Sequence, residues 1–276
     1  SPTGSQVLTA SRDGTAKFWE LESGRCLRTF RSHVAGVCAA SFSPGGSLVV
    51  TASRDLTAKV WEAASGKCLT TLAGHRLTVN SAVFAPGASG GAVVATASDD
   101  RTARLWSVNS GNCTRSFEGH TDSVTMAVFS PNGLQLLTAS CDHTAKLWDV
   151  ASGVCLCTLR GHIGGVLSAA FSPDGSRIVT ASYDLTAKVW CAKSGQCLNN
   201  LIGHQLAVSS AVFSSNSEEV LTASQDGTAK VWSVSTGECR RTIKDGTSID
   251  KWSAVSLDGS MLLASCGRSA RLHSAR

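Results

Sequence analysis

The chain has 276 residues, 42% of them hydrophobic and 16% charged, a balance that excludes a disordered chain and permits a core without disulfide staples. Its formal net charge of +5 is too small and too scattered for a phosphate-binding stripe, so direct nucleic-acid binding is not expected. The longest uncharged stretch, residues 77–98, carries Asn80, Pro86 and three glycines and would not partition into lipid, so no membrane contact is expected.

From the start of the chain, Ser1-Pro2-Thr3-Gly4 reads as a turn, and residues 6–10, 16–19 and 26–30 read as short strands. The same arrangement then recurs. Tryptophan falls at Trp19, Trp61, Trp106, Trp148, Trp190 and Trp232, spaced by 42, 45, 42, 42 and 42 residues. Cysteine recurs in step at Cys26, Cys68, Cys113, Cys155, Cys197 and Cys239, each following a Ser-Gly or Thr-Gly pair and one further residue. Two unrelated residue types sharing one period define an internal repeat. The single longer spacing comes from an insertion at Gly87-Ala88-Ser89-Gly90-Gly91, which lacks the lysine and helix of a phosphate loop.

Within one repeat, residues 124–129, 136–139, 145–148 and 155–159 are short β-prone runs. Between them lie Ser130-Pro131-Asn132-Gly133, Asp142-His143 and Ala151-Ser152-Gly153 as turn chemistry. Four short strands in about 42 residues, with no 3.6-residue periodicity, describe a propeller blade and exclude a helical solenoid. The periodic cysteines open the outermost strand of each blade and read as small half-buried hydrophobes rather than metal ligands. Eleven cysteines, an odd number, also favour a reducing, cytoplasmic setting over a secreted disulfide framework.

These residues resemble the WD-repeat β-propeller family, whose motif pairs Gly-His near the start of each unit with Trp-Asp at its end. Gly-His stands at Gly74-His75, Gly119-His120, Gly161-His162 and Gly203-His204, with Ser32-His33 as a weakened copy, and the literal closing pair survives at Trp148-Asp149. The resemblance implies an all-β, seven-bladed propeller of four-stranded antiparallel blades occupying residues 1–276 as one domain. The first blade, 1–30, would be partial, five blades would fill 31–243, and the last, 244–276, would be partial and degenerate. In that last unit Gly246 stands at the His position, Cys266 near the Ser position and His273 at the Trp position. The count of strands leads us to expect a longer chain, in which a preceding segment supplies a fourth and a first strand to close the ring.

Each full unit sets a His before its first strand, a Ser on the second, an Asp in the next turn and the Trp on the third. The sets are His33, Ser53, Asp55, Trp61; His75, Ser98, Asp100, Trp106; His120, Ser140, Asp142, Trp148; His162, Ser182, Asp184, Trp190; and His204, Ser224, Asp226, Trp232. Five identical copies argue for a scaffold rather than for a catalytic triad. The resemblance implies a structural tetrad in which Asp bonds His, and His reaches the indole through the Ser hydroxyl. Neither a catalytic residue, nor a metal site, nor a cofactor is expected.

By the same resemblance, the face bearing the His loops and Asp turns docks other proteins or peptides. The candidate contacts are Arg12, Arg54, Asp99, Tyr183 and Gln225, each just before a turn Asp, with Arg76 nearby. The expected function is a non-catalytic interaction scaffold, within a longer chain or a complex. An alternative is recognition of an acidic or phosphorylated peptide by Arg12 and Arg54, because guanidinium forks suit such anions. A propeller enzyme or small-ligand binder would need a unique polar constellation, which the sequence does not offer.

Overall fold

A computed structural model describes residues 1–87 and 93–244, together with the backbone of strands Lys251–Val255, Met261–Cys266 and Ser269–Ser274. The insertion at 88–91 and Gly246 lie outside the described residues, as do the side chains of Cys266 and His273. Among the described residues the chain is all strand and turn, in five sheets of four strands and two of three, each an antiparallel meander. This is the β-propeller fold, its blades following one another along the sequence. No helix among the described residues is long and apolar enough to cross a membrane.

Burial grades across each four-stranded blade. The second strand, as in Leu48–Ser53 or Arg177–Ser182, is buried at its last five residues because strands flank it and apolar side chains cover both faces. The third strand alternates, so that in Thr57–Glu62 Ala58 and Val60 are buried while Lys59 between them is half-buried. The fourth is an edge, with Leu72 fully buried in Cys68–Ala73 and Leu201 in Cys197–Ile202. Ladder register explains two departures from simple alternation. Val37 pairs with Ser53 and Ala39 with Ala52, leaving Cys38 in a bulge, and the same slip recurs at Asn80, Leu167 and Ser209. A second bulge sets Trp61 opposite Cys68 and extrudes Leu69, with Leu156 and Leu198 extruded alike. Bulges re-aim side chains that a regular ladder would bury.

The chain divides into two compact units, residues 1–138 with 150–153, and residues 139–149 with 154–276. In the first, Val60 and Leu72 of one blade pack with Val94 and Trp106 of the next. Phe30 likewise meets Trp61 with ring centroids 5.5 Å apart. In the second, Val189 and Leu201 pack with Val220 and Trp232. Trp61, Trp106 and Trp232 thus fill the seam between their own blade and the one before it. The cysteines opening the fourth strands differ from expectation: Cys26, Cys113, Cys155, Cys197 and Cys239 are exposed and free, and Cys68 is half-buried. They begin an edge strand that no neighbour covers at that end.

Candidate functional site

The loop end of five of the described blades is built around one imidazole. In the first unit His33 Nδ1 lies 2.7 Å from Asp55 Oδ2 and its Nε2 lies 2.7 Å from Thr51 Oγ1, which also accepts the Trp61 indole N–H at 2.9 Å. His75 repeats this with Asp100, Thr96 and Trp106 at 2.7, 2.7 and 2.8 Å. In the second unit His162 does so with Asp184, Thr180 and Trp190, and His204 with Asp226, Thr222 and Trp232. His120 Nε2 meets Thr138 Oγ1 at 2.8 Å in the first unit, and in the second Asp142 accepts the Thr144 hydroxyl while Trp148 is buried.

The hydroxyl that links His to Trp is therefore a threonine, which corrects the expected role of Ser53, Ser98, Ser140, Ser182 and Ser224. Thr and Ser stand two apart on one strand and share a face, but the Ser is at the strand end, level with the loop backbone. Ser53, Ser98, Ser182 and Ser224 donate to the loop carbonyls of Gly36, Leu77, Gly164 and Leu206. All five serines accept the amide of the following turn Asp at 3.1 Å. The Thr sits one pleat deeper, within reach of the ring. A signal for it was in the sequence: Thr-Ala-Ser opens at Thr9, Thr51, Thr96, Thr138, Thr180 and Thr222. Trp19 bonds Thr9 at 2.8 Å in the first blade as well.

Each carboxylate is saturated. Asp55 Oδ1 accepts the Thr57 amide and hydroxyl, and Oδ2 accepts His33 and the Val34 amide at 3.2 Å. Burial pushes Asp100 up, but the hydrogen bonds from Thr102, His75 and the Arg76 amide outweigh it and hold the carboxyl at about 2. Burial likewise dominates at His33, His75, His162 and His204, pushing each below its ordinary value in spite of the neighbouring carboxylate. A neutral imidazole bonded at both nitrogens, between an occupied carboxylate and an occupied hydroxyl, is a brace. Among the described residues no three or more His, Cys, Asp or Glu side chains gather as a metal site.

The braces fix which side chains face outward. In the first unit Arg12, Arg54 and Arg76 are exposed, and the Gly36 backbone passes so close to Arg12 that an added Cβ would sit 3.1 Å from the Arg12 Cα. Arg12, Arg54 and Asp99 act on the bulged Cys38. Its thiol is raised, chiefly by desolvation and further by Asp99, against the lowering effect of Arg54 and Arg12. Asp99 itself accepts Asn80 Nδ2 at 2.7 Å. In the second unit Tyr183 is 53% exposed and its amide donates to Gly165, while the Gln225 amide donates to Ala207. Arg12, Arg54 and Asp99 thus all act electrostatically on one thiol, and Arg76 stands on the neighbouring loop.

Sequence reasoning missed the residue after each turn Asp. This position takes the left-handed backbone, which Gly14 and Gly227 fill at no steric cost, yet Leu56, Arg101, His143 and Leu185 hold it with φ near +70°. Such a conformation costs a side-chain-bearing residue about 1 kcal/mol. Leu56 and Leu185 are exposed leucines, and the residues whose amides bond the same carboxylates, Val34 and Ile163, are 93% and 85% exposed.

The family profile of the WD domain, G-beta repeat (WD40) matches residues 1–20, 24–62, 66–107, 111–149, 153–191 and 195–233. A stretch of 35 residues, 13% of this chain, is 54% identical to a protein of Talaromyces stipitatus named "Probable E3 ubiquitin ligase complex SCF subunit sconB", covering 5% of it. A stretch of 31 residues, 11% of this chain, is 55% identical to the protein of that name from Arthroderma otae, again covering 5%. The matched stretches are thus a small part of those relatives' length. Six profile matches that between them take in most of the described residues place this chain in the WD40 family.

Proposed function

We propose that this chain is a non-catalytic scaffold that docks a partner protein on the loop end of its blades, and that Arg12 and Arg54 take an acidic or phosphorylated segment of that partner. Its WD40 repeats make it a protein-interaction module. The observation that carries the finer reading is the exposed pair Arg12 and Arg54, whose backbones both meet Gly36 and which make no ion pair among the described residues. Guanidinium groups at such a place bind carboxylate or phosphate bidentately. The saturated His-Asp-Thr-Trp braces support a non-catalytic role, because no member is free to attack a substrate or move a proton. The name carried by the relatives supports membership of a multi-subunit complex, and an intracellular, reducing setting accords with that. Direct nucleic-acid or membrane binding forms no part of the proposal.

The test is the affinity of a fluorescein-labelled acidic peptide, with and without phosphoserine, before and after Arg54→Ala. We expect roughly tenfold weaker binding in the variant and a steep salt dependence in the parent. Equal affinity in the two proteins would remove Arg54 from the site.

A further inference from the structure

Four of the five sets lie each within one compact unit, and their outer corners carry different chemistry. The corner is the residue after the His together with the residue after the Asp, joined through one carboxylate. In the first unit it is Val34 with Leu56 on one blade and Arg76 with Arg101 on the next. In the second unit it is Ile163 with Leu185, then Gln205 with Gly227. Only the first unit sets an apolar corner beside a cationic one.

Two observations argue that the apolar corner is more than a loop tip. Leu56 keeps a left-handed backbone, as the residue after the turn Asp does in the other blades, and this fixes its side chain at the corner beside Val34. Val34 is 93% exposed and Leu56 39% exposed, and neither belongs to a core cluster among the described residues. The cationic corner is equally unspent. Arg104, on the third strand of the same blade, donates to the Gly74 carbonyl at 2.8 Å and approaches Asp100, whereas Arg76 and Arg101 are exposed and make no ion pair among the described residues.

We propose that Val34 and Leu56 anchor an apolar side chain of a partner segment while Arg76 and Arg101 hold its acidic residues, so that one acidic, apolar-bearing peptide spans two neighbouring blades of the first unit. Charge selects this occupant. A basic or purely apolar segment would face Arg54, Arg76 and Arg101 without compensation. The proposal rests on the docking reading given above and adds to Arg12 and Arg54 the residues that would read the segment's apolar side chain.

The experiment uses the whole chain, a short labelled peptide alternating Glu and Leu, and control peptides alternating Glu and Ser or Lys and Leu, with fluorescence anisotropy and thermal melting as readouts. The parent binds the Glu-Leu peptide best, the Glu-Ser peptide about tenfold more weakly, and the Lys-Leu peptide not at all. Leu56→Asn lowers affinity for the Glu-Leu peptide about tenfold and leaves Tm unchanged or higher, because asparagine tolerates the left-handed backbone. Arg76→Ala with Arg101→Ala weakens binding similarly and flattens its salt dependence. Leu185→Asn, the matching change in the second unit, leaves affinity unchanged. If Leu56→Asn binds as the parent does while Arg54→Ala binds more weakly, docking stands and the anchor falls. Equal affinity for the Glu-Leu and Glu-Ser peptides also overturns the anchor, as does a fall in Tm that accounts for the lost affinity. If neither acidic peptide binds the parent, the docking reading falls with it.

Discussion

A threonine hydroxyl carries one hydrogen, and in the braces that hydrogen has one good acceptor. Thr51 Oγ1 lies 2.7 Å from His33 Nε2 but 3.4 Å from the Lys59 carbonyl, so it accepts from the indole and donates to the imidazole, whose Nδ1–H then donates to Asp55. The same polarity holds at Thr180, where replacement by the isosteric valine would leave the buried Trp190 N–H and His162 Nε2 both unpaired. Thr180→Val is expected to cost about 3 kcal/mol in urea unfolding, against about 1 kcal/mol for Ser182→Ala, whose Oγ meets only backbone. Equal costs would contradict the assignment of the hydroxyl. His, Asp and Trp were legible because each is a distinctive residue recurring in step. Ser and Thr were not distinguished because both offer a hydroxyl on the same strand face, and depth along that face is not written in composition.

Strands were read closely from the sequence, as with the predicted 124–129, found as Val124–Phe129. The bulges were not, since a one-residue slip changes register without changing residue types. Yet the bulges decide what the loop end offers, by turning Cys38, Asn80, Leu167 and Ser209 out of the ladder. Close backbone approach at the same end was equally hidden. A Cβ on Gly164 would sit 2.8 Å from the Asp184 amide nitrogen, an atom fixed within the turn. Gly164→Ala should therefore destabilise the fold by about 2 kcal/mol, while Gly45→Ala, with open space around it, should be near neutral. Comparable denaturation midpoints for the two variants would show that the Gly164 loop yields.

Across the molecule the braces add up to a pH response of definite sign. The four imidazoles named above lie below their ordinary 6.5 in the folded chain, and Asp100 and Asp226 are held at about 2 against 3.8. For both residue types the unfolded chain takes up protons at a higher pH than the folded one. Their contribution is thus complete above 6.5, declines as the histidines of the unfolded chain become charged, and declines again below 3.8 as its carboxylates protonate. The urea midpoint should fall from about pH 7.5 to about pH 5, and a midpoint that holds or rises would mean the imidazoles are charged in the fold. The repeat period announced the succession of blades, whereas the division into two compact units left no mark in the sequence, because the boundary falls inside a repeat.

The exposed sulfhydryls at the head of the fourth strands carry a practical corollary. Cys26 and Cys113 in one unit, and Cys155, Cys197 and Cys239 in the other, give every molecule several points of covalent linkage. Left with an oxidant, copies of this protein would not merely pair off but knit into branched polymers, and the gel so formed would dissolve again with a reductant.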